Sequence, residues 1–217
     1  MIDIQNAILI HFILFAKVLL IRNEPSYHSG SLIYLSNQSV DTLQYTIISG
    51  TNRSNAKSKM LSSYYQQSLK EKGVTADIID LHDLPDDYLF SALYEEAGKN
   101  PTTQHFRDQV KNSDKLIFIV AEYNGSFPGA LKAFIDGMEY PGAFSNKKAA
   151  LVGLSSGVQG AGLALSHLTD ILNYCGTHVL AQKPKLAHIE KHFDGEVFSN
   201  PLYQQLIDEQ IEAFIEF

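Results

Sequence analysis

Residues 116–136 read LIFIVAEYNGSFPGALKAFID and contain a strand, a loop and the start of a helix. The first five residues are all apolar, which is typical of a strand covered on both faces of a parallel sheet. Leu131, Phe134 and Met138 then recur at spacings of three and four, which predicts an amphipathic helix. The loop between strand and helix is longer and more specific than such a connection requires. Its composition therefore indicates a binding site as well as a turn.

The same alternation of strand and helix extends over the chain from residue 43. Strands are predicted at 43–49, 76–81, 114–121, 147–154 and 177–181. Helices are predicted at 54–72, 89–97, 102–112 and 161–174, with one that ends near residue 140 and one that begins near residue 201. Strands that alternate with helices form parallel sheets through right-handed crossovers. The expected fold is therefore α/β, a three-layer, doubly wound, five-stranded parallel sheet.

Composition excludes several classes of protein. The chain has 217 residues and a net charge of -7, which argues against a nucleic-acid partner and against adhesion to anionic lipid. Its single cysteine, Cys175, excludes a disulfide within the chain, so we expect a reducing, cytoplasmic setting.

Residues 1–40 differ in composition from the domain expected at 41–217. The apolar run at 8–21 is shorter than the roughly 20 residues that a transmembrane helix needs. It also lacks the preceding positive charge and the cleavage site of a secretory signal. Three interpretations remain: an interfacial anchor, an additional packed element, or an upstream segment that is not part of the native chain. No membrane partner is expected.

Three loops of unusual composition follow the first, third and fourth strands, where doubly wound folds bind ligands. The first, SGTNRSNAKS at 49–58, places Thr51, Arg53 and Ser58 near the start of a helix. Hydroxyls, a guanidinium and free N–H groups in that position suit a phosphate. The spacing matches neither G-x-x-x-x-G-K-[ST] nor G-x-G-x-x-G, which disfavours ATP, GTP and a classical dinucleotide fold. An ordinary capped helix start is the alternative.

The second loop is the one quoted above. Tyr123 offers an aromatic face, Asn124 offers an amide, and Gly125 permits close approach of the backbone. Together with the N–H groups around them, these residues suit a flat heterocycle. An elaborate turn without a ligand is the alternative.

The third loop, GLSSGVQGAG at 153–162, consists of small residues that allow a ligand edge to lie against the backbone. It also spells G-x-S-x-G around Ser155, the nucleophile elbow of α/β-hydrolases. That fold requires further strands, an acid and a histidine after the serine, and about 60 residues with one short strand follow here. A Ser155 hydrolase is therefore disfavoured.

Taken together, GTNR at 50–53, EYNGSFPGALKAFID at 122–136 and GLSSGVQGAG at 153–162 resemble the three FMN-contacting loops of the NADPH-dependent FMN reductase family. The resemblance covers about residues 43–185. It implies a flavodoxin-like fold with strand order 2-1-3-4-5, non-covalently bound FMN, NADPH or NADH as the electron donor, and a homodimer or homotetramer.

Carried over by position, the resemblance implies ten FMN-binding residues: Thr51, Arg53 and Ser58 at the phosphate, Tyr123, Asn124, Gly125 and Ser126 at the isoalloxazine, and Ser155, Ser156 and Gly157 on its other side. Glu122 matches the acidic residue that the family carries beside the second loop. The resemblance implies subunit contact as one role for this residue. The chain departs from the family pattern at Ala56, Ala121 and Ala133, where Ser, Pro and Asn are usual. A lost hydroxyl bond to a phosphate costs about 1.5–3 kcal/mol, so weaker FMN binding is expected.

The function expected from this resemblance is that of an FMN-dependent NAD(P)H oxidoreductase. Its partner is a small electron acceptor: a quinone, an azo dye, a metal oxyanion or free flavin. No residue is assigned a catalytic role, because the flavin performs the redox chemistry. An FMN-binding electron carrier without NAD(P)H turnover and a family member that keeps the fold without FMN are the alternatives. No metal site is expected, since His188 and His192 lack a third ligand.

Overall fold

The computed structural model describes residues 43–217 of the chain, and the extension expected at 1–40 lies outside them. The strands in this part are β1 (Tyr45–Ser49), β2 (Ala76–Asp80), β3 (Lys115–Ala121), β4 (Lys148–Leu154), β5 (His178–Val179) and β6 (Lys185–Leu186). The α-helices are α1 (Lys57–Glu71), α2 (Tyr88–Ser91), α3 (Pro101–Asn112), α4 (Gly129–Asp136), α5 (Gly162–Tyr174), α6 (Ile189–His192) and α7 (Pro201–Glu216). Two 3-10 turns lie at Leu81–Asp83 and Tyr94–Glu96.

All strand pairs are parallel, and the strand order is β2-β1-β3-β4-β5 with β6 also paired to β4. This confirms the predicted doubly wound, flavodoxin-like sheet. One core lies between the sheet and helices α3, α4 and α5, and a second lies between the sheet and helices α1 and α7. The helices thus form the two outer layers. No helix within the described residues is both long and apolar enough to span a bilayer.

Strand β3 shows why a continuous apolar run predicts a central strand. Its residues from Leu116 to Val120 are fully buried. Leu116, Phe118 and Val120 pack into the first core, whereas Ile117 and Ile119 pack into the second. Successive side chains point to opposite faces of a sheet, so both faces require apolar residues here.

The edge beyond β4 departs from the prediction of one strand at 177–181. Only His178 and Val179 form β5, and the edge resumes as β6 at Lys185 and Leu186, a segment for which no strand is predicted. The two short strands pair with opposite ends of β4. The fifth strand of the fold is therefore interrupted rather than continuous.

Gln210 of α7 compensates for this interruption. Its side-chain amide donates hydrogen bonds to the carbonyls of Leu151 and Gln182, both at 2.9 Å. Its amide oxygen accepts a bond of 3.1 Å from the Tyr65 hydroxyl. Gln210 is fully buried, and these bonds satisfy backbone groups that a continuous strand would otherwise pair.

Candidate functional site

A cavity of about 580 Å³ opens at the carboxyl ends of β1, β3 and β4. The three loops of unusual composition line it, as the doubly wound topology predicts. A fourth segment, at the start of α6, also contributes. The lining consists of Thr51, Arg53, Asn55, Ala56, Lys57, Ser58, Ala121, Glu122, Tyr123, Asn124, Leu154, Ser155, Ser156, Ile189 and Glu190.

Seven of the ten residues that the sequence indicates for the site line this cavity: Thr51, Arg53, Ser58, Tyr123, Asn124, Ser155 and Ser156. Gly125, Ser126 and Gly157 lie in the same loops, beside the lining. The three loops are thus brought together around one space.

The start of α1 forms one end of the cavity. Ala56 is the N-cap residue, and no side chain of the described residues caps the helix. By contrast, Asn100 caps α3 and Asn200 caps α7, each by accepting a bond from a backbone N–H two residues further on. The first turn of α1 also carries no acidic residue. Its N–H groups and the helix dipole therefore favour an anion at this end of the cavity.

Thr51 and Tyr123 join the first loop to the second. The Thr51 hydroxyl lies 2.9 Å from the Tyr123 hydroxyl and accepts a bond of 3.3 Å from the backbone N–H of Arg53. Thr51 is buried, whereas 37% of Tyr123 is exposed. The Tyr123 hydroxyl thus contacts the first loop, while the Tyr123 ring borders the open part of the cavity.

The second loop is a tight two-residue turn. The N–H of Tyr123 donates to the carbonyl of Ser126 at 2.7 Å, and the reverse bond measures 3.0 Å. Asn124 and Gly125 occupy the turn with φ of 52° and 74°. Asn-Gly is the preferred pair for two consecutive left-handed residues. The turn therefore explains this dipeptide in addition to any ligand contact.

Contacts with α5 anchor the second loop. The Ser126 hydroxyl lies 3.0 Å from Nδ1 of His167. The Glu122 carboxylate accepts a bond of 3.0 Å from the N–H of Ala161, the N-cap residue of α5, which is left-handed with φ of 64°. Glu122 thus has a clear role within the chain, where it holds the start of a helix.

The third loop is held by Ser155. Its hydroxyl donates to the carbonyl of Gly157 and accepts from the N–H of Gly160, both at 2.9 Å. The side chain is nearly buried. Both hydrogen-bonding functions of the hydroxyl therefore serve the loop, in agreement with the interpretation that G-x-S-x-G is not a nucleophile elbow here.

The segment 188–190 is the part of the site that the sequence analysis missed. The N–H groups of His188 and Ile189 donate to the carbonyls of Gly157 and Ser155, both at 3.0 Å. These bonds bring Glu190 into the cavity lining, where its carboxylate accepts a bond of 2.6 Å from the Ser156 hydroxyl. This bond is the main reason why the pKa of Glu190 lies below its usual value. Helix α6 has only one turn, so its sequence carries no periodic pattern that would predict it.

Lys57 and the two histidines complete the surroundings of the cavity. The Lys57 ammonium donates to the carbonyls of Phe193 and Asp194 at 2.9 and 3.1 Å. Nδ1 of His188 lies 3.0 Å from the carbonyl oxygen of Ser156, whereas the His192 ring packs edge-on against Tyr203. Within residues 43–217, no group of three or more His, Cys, Asp or Glu residues is arranged to hold a metal ion.

The donor set fits a ligand with a phosphate at one end and a flat polar ring at the other. Arg53, hydroxyls and the uncapped helix start lie at one end, and the Tyr123–Asn124 turn and the third loop border the rest. FMN has this composition. The residues present therefore fit the group that the resemblance implies.

Comparison with known proteins bears directly on this interpretation. Residues 44–190 match the NADPH-dependent FMN reductase family. An NAD(P)H-dependent FMN reductase of Pseudomonas aeruginosa is 30% identical over 185 residues, which cover 80% of this chain and 94% of the relative. A 2-hydroxy-1,4-benzoquinone reductase of a Burkholderia species is 29% identical and covers 70% of this chain and 83% of its own length.

A solved structure shows the same fold. The flavoenzyme NAD(P)H:(acceptor) oxidoreductase of Paracoccus denitrificans superimposes with a TM-score of 0.66 at 23% identity, covering 80% of this chain and 96% of that one. The predicted family and its class, an oxidoreductase that uses FMN and NAD(P)H, are thus confirmed, and the chain belongs to the NADPH-dependent FMN reductase family.

Proposed function

We propose that this chain takes electrons from NADPH or NADH and delivers them, through FMN bound in the 580 Å³ cavity, to a small acceptor. The observation that carries the proposal is the convergence on one cavity of an uncapped helix start and the Tyr123–Asn124 turn. Family membership supplies the reaction class. When bound, FMN supplies the redox chemistry between nicotinamide and acceptor.

The residues of the first loop would hold the phosphate. The Arg53 side chain is exposed at the cavity and supplies a cation. Thr51 and Ser58 supply buried hydroxyls, and the first turn of α1 supplies N–H groups. Such charge-assisted bonds are stronger than neutral ones, so most of the phosphate affinity is expected from this loop.

The other two loops would hold the ring. Tyr123 and Asn124, which line the cavity, and Gly125 and Ser126 beside them would border one side of it with an aromatic edge, an amide and a turn backbone. Ser155, Ser156 and Gly157 border the other side, with the hydroxyl of Ser155 serving to shape the loop. The role of these residues is to bind and orient rather than to transfer protons.

For the acceptor, we propose a quinone. The Burkholderia relative is named as a benzoquinone reductase, and a relative in Pseudomonas putida is named as a quinone reductase. Tyr123 and Asn124 line the cavity and are exposed to solvent, so an acceptor would reach the ring from this side. Azo dyes, metal oxyanions and free flavin are the acceptors to compare with it.

The test is an anaerobic titration of the purified protein loaded with FMN. We expect NADPH or NADH to bleach the visible flavin absorbance, and benzoquinone to restore it. Failure of the protein to bind FMN would overturn the proposal. Bound FMN that neither nicotinamide reduces would instead support the electron-carrier alternative.

We also propose that the chain forms a homo-oligomer in the cytoplasm. Phe90 and Tyr94 are each 84% exposed, and Tyr140 stacks on Tyr174 with both rings largely exposed. Burial of these rings against a second copy of the chain would remove their apolar surface from water, which is favourable. The cytoplasmic location rests on cysteine usage, because a single cysteine provides no internal disulfide.

A further inference from the structure

Glu190 is an acidic residue in the lining of a cavity that is otherwise suited to an anion. It lies on the one-turn helix α6, whose start is fixed to the third loop by the N–H groups of His188 and Ile189. The Ser156 hydroxyl orients its carboxylate through a bond of 2.6 Å. Glu190 is therefore held in the lining by three hydrogen bonds to the third loop.

Glu190 lines the cavity between the third loop, where its carboxylate contacts Ser156, and the start of α1. Lys57, the first residue of α1, binds the carbonyls of Phe193 and Asp194, which directly follow α6. The segment that carries Glu190 is thus packed beside the start of α1. The charges of Lys57 and Arg53 both act on Glu190 and help to keep its pKa low.

No salt bridge cancels this negative charge within the described part of the chain. The ion pairs there join other residues, and neither Arg53 nor Lys57 forms one with Glu190. An FMN phosphate carries between one and two negative charges at neutral pH. An ionised carboxylate in the same cavity repels it, whereas riboflavin, which lacks the phosphate, experiences no such repulsion.

On the basis of the proposed function, we propose that Glu190 is a specificity-determining residue that weakens binding of FMN relative to riboflavin. Together with Ala56, which lacks the hydroxyl of the serine usual in the family, it makes the cofactor exchangeable. The chain would then release FMN more readily than a site with a neutral residue at this position.

The experiment compares two charge changes at this position by titrating flavin-free protein with FMN and with riboflavin at low ionic strength. Flavin fluorescence reports the Kd. Glu190 is exposed, so solvent screens the repulsion, and we expect Glu190→Gln to tighten FMN by about threefold to fivefold. Glu190→Lys is expected to lower the Kd for FMN by about tenfold or more. The Kd for riboflavin is expected to change by less than about twofold in Glu190→Gln.

Glu196 provides the matched control. It is exposed and near in sequence, but does not line the cavity. Glu196→Gln and Glu196→Lys alter the net charge by the same amounts and are expected to leave both Kd values nearly unchanged. Salt is expected to reduce the Glu190 effect, because the Debye length shortens to about 3 Å at 1 M.

The remaining outcomes separate this inference from the proposed function. An FMN Kd that is unchanged by both Glu190 substitutions would overturn the inference and leave the proposed function intact. Equal weakening of FMN and riboflavin by Glu190→Gln would also overturn it, because Glu190 would then be a hydrogen-bond acceptor for the ring or ribityl chain. If neither the native protein nor the variants bind flavin, both proposals fail.

Discussion

Replacement of Ser155 by alanine tests whether this serine builds the third loop, as its contacts indicate. The hydroxyl accepts the buried N–H of Gly160 at 2.9 Å, and no other group of the described residues is placed to accept it. The carbonyl of Gly157 also loses a donor, but the N–H of His188 continues to bond it at 3.0 Å. The net loss in Ser155→Ala is therefore one buried, unsatisfied N–H group.

Such a group costs about 1–3 kcal/mol of unfolding free energy. For a domain of this size, each kcal/mol lowers the Tm by about 2–4 °C, so we expect a fall of about 2–12 °C. Thermal unfolding followed by circular dichroism measures it. FMN affinity is expected to fall as well, because the third loop borders the cavity.

Ser156→Ala is the matched control for stability. The Ser156 side chain is exposed, and its hydroxyl bonds an exposed carboxylate that water can hydrate instead. The expected fall in Tm is below about 2 °C. A Ser155→Ala protein whose Tm stays within about 1 °C of the native value would refute the structural role assigned to this hydroxyl.

Four further predictions follow from other contacts. Arg53→Ala is expected to raise the Kd for FMN by about tenfold or more and to leave the Kd for riboflavin almost unchanged, as measured by fluorescence titration. Equal losses of affinity for both flavins would exclude a phosphate contact. Gln210→Leu is expected to cost about 3 kcal/mol or more in urea unfolding, since two carbonyls and a phenol lose their partner, and an unshifted midpoint would contradict this. Phe90→Asp is expected to reduce the mass measured by light scattering to that of the monomer, whereas retention of the native mass would place the interface elsewhere. Because the folded pKa of Glu190 is lowered by its bond to Ser156, its contribution to stability is present above the unfolded pKa and is lost as pH falls through the lowered folded pKa. Glu190→Gln is therefore expected to lose less stability on acidification than the native protein, and parallel curves would argue against the Ser156 bond.

The sheet was predictable where a strand is buried on both faces. The predicted strands at 114–121 and 147–154 agree with the buried strands β3 and β4 to within about a residue at each end, and the partly exposed edge strand β2 was predicted equally well at 76–81. Continuous apolar runs and flanking glycines carry this signal locally. The meeting of the first loop, the turn at Tyr123 and the third loop was also predictable. The topology of the sheet alone brings the ends of these strands together.

The missed parts depend on contacts that are distant in sequence. Strand β6 has two residues and exists because it pairs with the end of β4. Helix α6 is a single turn whose position follows from bonds to the third loop, so no periodic pattern marked Glu190 as part of the site.

A crystal structure of the protein with FMN would show where the cofactor binds. We expect the phosphate at the start of α1, within hydrogen-bonding distance of Arg53 and the N–H groups of the first turn. We expect the ring between the Tyr123–Asn124 turn and the third loop. FMN bound outside this cavity, or bound with its phosphate at the Tyr123–Asn124 end, would refute the proposed site.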